Sequence, residues 1–525
     1  MSLYENCKLP IRICQTGFIL IAIGFLIQNE SVNVFYTFTN KYVLMFAQGC
    51  QTLGSIIIVN LPLIFMLYLV CKKANSGIPI ILALIGYFAF LITTSLFADQ
   101  SLSSYAYASN LGVNAIIDTA SITKYPLETG LIGSFIVAYI TRYAFIRSRH
   151  RTSHSILGFL NKDTAAIIYN TVYCVLAGIV VSFVFPFLYT YLSQIIANIS
   201  KDLADPIRIA LYGALDRTLS ILGLGNIIRY PFWYTALGGS YQTISGQSII
   251  GDVNIWSYVK DTTGVFQGAG RFITPYYVIN LFMVPAIYLG IMSSITDKFE
   301  RRYYRLPFLG AILLSIIAGN PLPIELTIAL TSPLLLLVYI LLVAVVFGYL
   351  SFANVFLGSN IGTLANTSTA LPGNFPDFII NIRSALHYDD LIIILIVGVI
   401  AGVIMYIVCR IYYRHIAFNL INHNRDDEVI DNIVEAIGGY DNIRKVGSGF
   451  FRVNLSLSNN EEVSIERLQD IGAVRITETK TGISMQCGSS AYIIAKTIDD
   501  KLKAYLKEKT PVETKNATIW QRSLM

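Results

Sequence analysis

Apolar residues fill most of the first 424 positions of this 525-residue chain, in runs long enough to cross a hydrocarbon core. Residues 78–97, 165–191, 276–296, 326–350 and 390–409 each come near the roughly 20 residues that a spanning helix needs. None of them alternates with the period of two that a barrel strand would show, and a helix satisfies its own backbone groups in lipid. The pattern therefore predicts a polytopic α-helical membrane bundle of about eight to ten spans. An earlier run, 12–28, follows Lys8 and Arg12 with no small-x-small cleavage pattern behind it, so it is expected to be kept as the first helix.

The pattern changes near Asn424. Of the last 101 residues 29 are charged, against 41 of the preceding 424, which marks the start of a soluble domain. Residues 426–438 place Val429, Ile430, Ile433, Val434 and Ile437 at helical spacing behind acidic residues suited to a helix N-terminus. Strand-like pieces follow at 449–457, 472–477 and 482–487, with a short helix at 463–470 and a longer one at 490–506. The expected organisation is a membrane domain over 1–424, a small α+β sandwich over 425–508 and a flexible tail over 509–525.

Composition agrees with this division: 54% of residues are hydrophobic and 13% charged, which excludes an ordinary soluble protein. The net charge of +6 is explained by topology rather than by nucleic acid. Basic residues cluster in short connections, at Lys72 and Lys73, at 147–151, at 298–305, and at Arg410 with Arg414. By the positive-inside rule these ends face the cytoplasm, and so does everything after Arg414. The seven cysteines are scattered without paired spacing, so neither a disulfide framework nor a metal site is expected, and no cofactor.

One residue stands out chemically. Glu325 interrupts an apolar stretch where insertion of a charge costs about 2.5–3.5 kcal/mol. Pro321 and Pro323 beside it favour a broken, re-entrant backbone of the kind that lines transporter sites. An interfacial or helix-capping glutamate is the alternative. Arg229 is a nearby cation that either pairs with Glu325 or stays at the interface.

Several stretches resemble the enzyme II membrane component of the bacterial sugar phosphotransferase system (PTS), glucose and N-acetylglucosamine type, with a C domain (EIIC) fused to a B domain (EIIB). They are NAIIDTASITKYPLETGLIGSFIVAYI (114–140), LGFLNKDTAAIIYNTVYCVLAGIVVSFVFPFLYTYL (157–192), LGLGNIIRYPF (222–232), GQSIIGDV (246–253) and IAGNPLPIELTIALTSPLL (317–335). The resemblance implies a sugar permease in a bacterial cytoplasmic membrane, working by alternating access as a homodimer. It implies that sugar, a phosphocarrier and EIIA or separate EIIB proteins are its partners, beside membrane lipid. It also implies that Glu325 binds sugar hydroxyls, with Asn226 and Pro323 as further substrate-binding positions.

This chain departs from the family at the positions that carry the chemistry. The first glutamate of the family's Thr-Glu-Pro-Ile-Glu-Phe stretch falls on Leu322, and its two histidines fall on Gly225 and Asn226. The B-domain cysteine that takes phosphate falls on Gly449, which has no side chain to act as a nucleophile. No catalytic residue is then expected. Ser448 and Arg452 remain as possible contacts for phosphate or a partner. The expectation is a glucose-like sugar permease whose own phosphotransfer is lost; a sugar-sensing regulator and a phosphotransferase served by a separate EIIB protein are the alternatives.

Overall fold

The computed structural model describes residues 8–28, 38–71, 77–98, 102, 106, 125–149, 162–243, 246–260, 268–294, 298–359, 369–382, 388–415, 423–448, 452–470, 475–479, 481–486 and 491–509. The chain divides into two compact units, residues 1–295 with 305–416, and residues 296–304 with 417–525.

The first unit is built from helices, one of which, Lys298–Ala318, has its first residues grouped with the second unit. In order they are α1 (Lys8–Gln28), α2 (Lys41–Val59), α3 (Leu61–Cys71), α4 (Ile78–Phe97), α5 (Gly130–Arg149), α6 (Lys162–Ser200), α7 (Pro206–Ile221) and α8 (Gly225–Tyr234). A small hairpin of β1 (Ser240–Gln242) and β2 (Ser248–Ile250) leads to α9 (Asp252–Val259). Then come α10 (Thr274–Ser294), α11 (Lys298–Ala318), α12 (Leu322–Thr331), α13 (Pro333–Phe352), α14 (Phe375–Ile382) and α15 (Tyr388–His415).

The apolar runs become helices that bury one face and leave another apolar face outward. In α4 the first turn holds Pro79, where a missing N–H costs nothing, and Leu82, Ala83, Gly86, Tyr87 and Phe90 are buried, with α6 packed alongside. Ile81 and Ile92 on the same helix are exposed, as are Leu176, Phe183 and Phe187 on α6. Such a surface suits hydrocarbon and not water. Seven helices among the described residues are long and apolar enough to cross a membrane, where about eight to ten spans were expected: α1, α2, α4, α6, α10, α13 and α15. Helix α5 has comparable length but carries Arg142, Arg147 and Arg149.

The run 326–350 is not one span. It breaks at Ser332 because Pro333 lacks an N–H and disfavours helical geometry in the residue before it; Ser332 has φ −148° and ψ 73°. What precedes the break is α12, ten residues and thus about 15 Å long, half of a hydrocarbon core.

The second unit contains α16 (His423–Ala436), β3 (Ile443–Ser448), β4 (Arg452–Leu457), α17 (Ile465–Asp470), β5 (Arg475–Thr479), β6 (Gly482–Gln486) and α18 (Ala491–Lys509). Its four strands form an antiparallel sheet in the order β3-β4-β6-β5. Ile433, Val434 and Ile437 from the α16 end pack with Val453, Leu455, Ile483 and Met485 of the sheet and Ile498 and Leu502 of α18. Strand β3 is an addition to the three strands expected. A bulge between Ile443 and Lys445 breaks its alternation, and Arg444 and Lys445 are exposed, so the period-two pattern is missing from its sequence. Gly449 and Cys487 lie outside the described residues.

Candidate functional site

Helix α7 carries adjacent charges, Asp216 and Arg217, both fully buried. Charges enclosed in this way persist only when partnered, and each finds its partners on other helices. Arg217 Nη1 donates to Glu325 Oε1 at 3.1 Å, which ties α7 to the first turn of α12. Its Nε donates to Asp216 Oδ2 at 3.0 Å, and its Nη2 to the Tyr276 hydroxyl of α10 at 2.6 Å. The guanidinium also lies over the Tyr276 ring, 4.7 Å from its centroid. A planar fork with five donors is the side chain suited to serve three acceptors at once.

Asp216 is shared with a second guanidinium. Arg229 of α8 donates through Nε to Asp216 Oδ1 at 2.6 Å and through Nη2 to Ser220 Oγ at 2.7 Å. Ser220, one turn after Asp216 on the same face of α7, in turn donates to the Asp216 carbonyl at 2.5 Å. The Tyr276 hydroxyl donates to Asp216 Oδ2 at 2.6 Å. Arg229 is 6% exposed, and the ion pair it forms is with Asp216.

Glu325 is fully buried in the first turn of α12. Oε1 accepts from Arg217 and, at 2.7 Å, from the Tyr339 hydroxyl of α13. Oε2 is buried with no hydrogen-bond partner among the described residues. A carboxylate oxygen enclosed in that way has acceptor capacity to spare.

These groups border a cavity of about 60 Å³, room for roughly four or five waters. Arg217, Arg229, Glu325 and Asn226 line it, with Glu128 from the connection before α5 and Asn320 and Leu322 from the start of α12. Ile58, Val59, Leu61 and Pro62 at the α2–α3 junction form an apolar wall. Two glycines set its edges. Gly130, with φ +51°, lets the chain turn into α5 hard against the Leu222 carbonyl, to which the Leu131 N–H donates at 2.8 Å. Gly319, with φ +61°, ends α11 and starts the turn into α12.

The turn at Gly319 is pinned from α10. Asn280 sits in a π-helical stretch, Ile279–Met283, and its Nδ2 donates to the carbonyls of Gly319 and Pro372, both at 2.8 Å. The freed Asn280 carbonyl accepts from Ser315 Oγ at 3.0 Å. One side chain thus fixes where α12, and with it Glu325, begins.

Of the residues singled out from sequence, Glu325 and Asn226 come together at this cavity. Pro323 is buried in the first turn of α12 and does not line it. Ser448 ends β3 opposite Val453, and Arg452 begins β4 opposite Gln486, both exposed in the second unit. Asp216, Arg217, Tyr276, Tyr339 and Glu128 were not singled out. Two adjacent charges within a largely apolar helix are costly and were the available signal for Asp216 and Arg217.

Comparison with known proteins gives this helical unit a family. The model of the family "Phosphotransferase system, EIIC" matches residues 9–344. The chain belongs to that family. As an EIIC protein with multiple apolar helices it is a multi-pass membrane protein of the sugar phosphotransferase system. This EIIC chain is also 26% identical, over 499 residues, to the PTS system glucoside-specific EIICBA component of Staphylococcus carnosus (strain TM300). The match covers 91% of this chain and 69% of that protein.

Proposed function

We propose that the protein is a permease for a glucoside or a glucose-like sugar, which it binds in the cavity beside Glu325. The observation that carries this reading is the carboxylate of Glu325, a residue that borders the cavity: one oxygen is held by Arg217 and Tyr339, and the other is buried without a hydrogen-bond partner among the described residues. Sugar hydroxyls are donors, and a carboxylate fixed by a guanidinium is an acceptor that loses little freedom when it binds them. Asn226 adds an amide that both donates and accepts. The cavity as it stands has room for only a few waters, so a sugar enters only when its walls part.

The 9% of this chain outside the match to the glucoside-specific relative is too little to contain everything after residue 424, so the similarity extends into the second unit. That supports reading residues 425–508 as an EIIB-like, cytoplasmic domain, 1–424 as the EIIC domain and 509–525 as a tail. With glycine at 449 this domain carries no thiolate there, and Ser448 and Arg452 are left to contact phosphate or a phosphorylated partner. Transport then proceeds without phosphorylation by this chain, from a homodimer.

The test is exchange of labelled glucose and methyl glucoside by the protein in liposomes, with Glu325→Gln beside it and a phosphorylated EIIB protein added or omitted. Exchange of unmodified sugar, lost in the variant, supports the permease. Phosphosugar formed only with the added protein restores the transferase, and binding without exchange makes the protein a sensor.

A further inference from the structure

The cavity holds one ionisable group more than its ion-pair network uses. Asp216, Arg217, Arg229 and Glu325 balance, two carboxylates against two guanidiniums. Glu128 faces the same cavity and forms no ion pair among the described residues. The Gly130 amide stands beside its carboxylate, and the Tyr87 hydroxyl of α4 lies near it. The other charged groups at the cavity are Arg217 of α7, Arg229 of α8 and Glu325 of α12, and the α2–α3 wall is apolar.

Its backbone is held at both ends. The Glu128 N–H donates to the Ala106 carbonyl at 3.0 Å, and the Tyr189 hydroxyl of α6 donates to the Glu128 carbonyl. The backbone is therefore fixed, and the carboxylate accepts from the Gly130 amide rather than from a cation. An unpaired carboxylate enclosed away from water is costly as an anion and is stabilised as the neutral acid, whereas one facing water ionises readily. A cavity that opens first to one side of the membrane and then to the other would change that environment in each cycle.

Building on the permease reading above, we propose that Glu128 carries a proton across with the sugar, which makes the protein a proton-coupled symporter. On the side of uptake the carboxylate takes H⁺ from water and an O–H bond forms. On the side of release that bond breaks and the H⁺ returns to water, one proton for each sugar, with no electrons exchanged. The coupling supplies what position 449 cannot. Without a phosphoryl group to trap the sugar, a permease only equilibrates it, and accumulation requires a second gradient.

The experiment uses the full chain in liposomes and labelled glucose or methyl glucoside. Counterflow at equal pH measures exchange; an inside-alkaline gradient of about one pH unit measures accumulation, and a lumenal dye follows protons. For one proton per sugar the gradient supports about tenfold accumulation, abolished by a protonophore, and adding sugar acidifies the lumen. In Glu128→Gln the ratio of driven to equilibrium uptake falls to one. Wild-type exchange without accumulation or proton movement overturns the coupling and leaves the permease intact. Absence of wild-type exchange overturns the permease reading itself. Coupled accumulation that persists in Glu128→Gln, or loss of exchange in that variant, removes Glu128 as the carrier.

Discussion

Arg217 Nη1 and Glu325 Oε1, 108 positions apart in the chain, meet at 3.1 Å inside the bundle. The guanidinium that makes this bond also serves Asp216 and Tyr276, so the two carboxylates depend on it unequally. Glu325 has Tyr339 as its other donor, whereas Asp216 is the point where both arginines converge.

Removing Asp216 is therefore expected to be the more damaging change to the fold. Asp216→Asn leaves two buried guanidiniums facing one carboxylate, at a cost of about 3–5 kcal/mol. It should sharply lower the thermal unfolding temperature in detergent.

Glu325→Gln leaves Arg217 paired with Asp216 and hydrogen-bonded to Tyr276, so a smaller loss of stability is expected. Its effect should fall on the ligand instead, weakening sugar binding about tenfold or more, the equivalent of 1.4 kcal/mol. Calorimetric titration beside a melting curve separates the two variants.

Asn280→Ala withdraws one donor from two carbonyls that hold the turn before α12. The expected cost is about 1–3 kcal/mol, with weaker sugar binding because Glu325 loses its fixed root. A variant with lower stability and unchanged affinity would show that the turn at Gly319 holds its place without this clamp.

Gly449→Cys places a thiol at the position that the resemblance gives to the family's phosphate acceptor. Incubated with a phosphorylated EIIA protein of the same system, the variant is expected to gain one covalent phosphate, measured by intact mass, and the natural chain none. Failure of the variant to gain it would count against an EIIB-like second unit.

The second unit should also respond to acid. The Lys509 ammonium, and then the Tyr505 hydroxyl at 3.0 Å, hold the Asp441 carboxyl below its ordinary value, so its contribution is present above the usual carboxylate range and lost as pH falls through the lowered value. Lys509 is shifted upward by its bond to Asp441, and its contribution is present below the ordinary lysine value and lost only as pH rises through the raised one. Protection of the amides at the end of α18, corrected for the pH dependence of intrinsic exchange, should fall below about pH 4, and Asp441→Asn should flatten that response. The group is exposed, so the change is small.

The spanning helices were legible because length and hydropathy are local properties: α4 begins and ends where the run 78–97 does. The break at Ser332 was harder to see, since the residues on both sides are equally apolar and only Pro333 betrays it. Strand β3 was hidden by its bulge and its two exposed basic residues. Glu325 could be found as a lone carboxylate between prolines. Its partner could not, because nothing local connects Arg217 to a residue 108 positions away, and the nearer reading, Arg229, is engaged by Asp216.

The shared Asp216 also bears on how this sequence can change over generations. Altering any one of Asp216, Arg217, Arg229 and Glu325 upsets the balance of two carboxylates against two guanidiniums, most of all at Asp216, so change among them is least costly in matched pairs, and the four form a block. Gly225 and Leu322 border the same cavity and belong to no such block. A substitution at either of them strands no charge, so the ion-paired frame sets no limit on the chemistry at those two points of the cavity's edge.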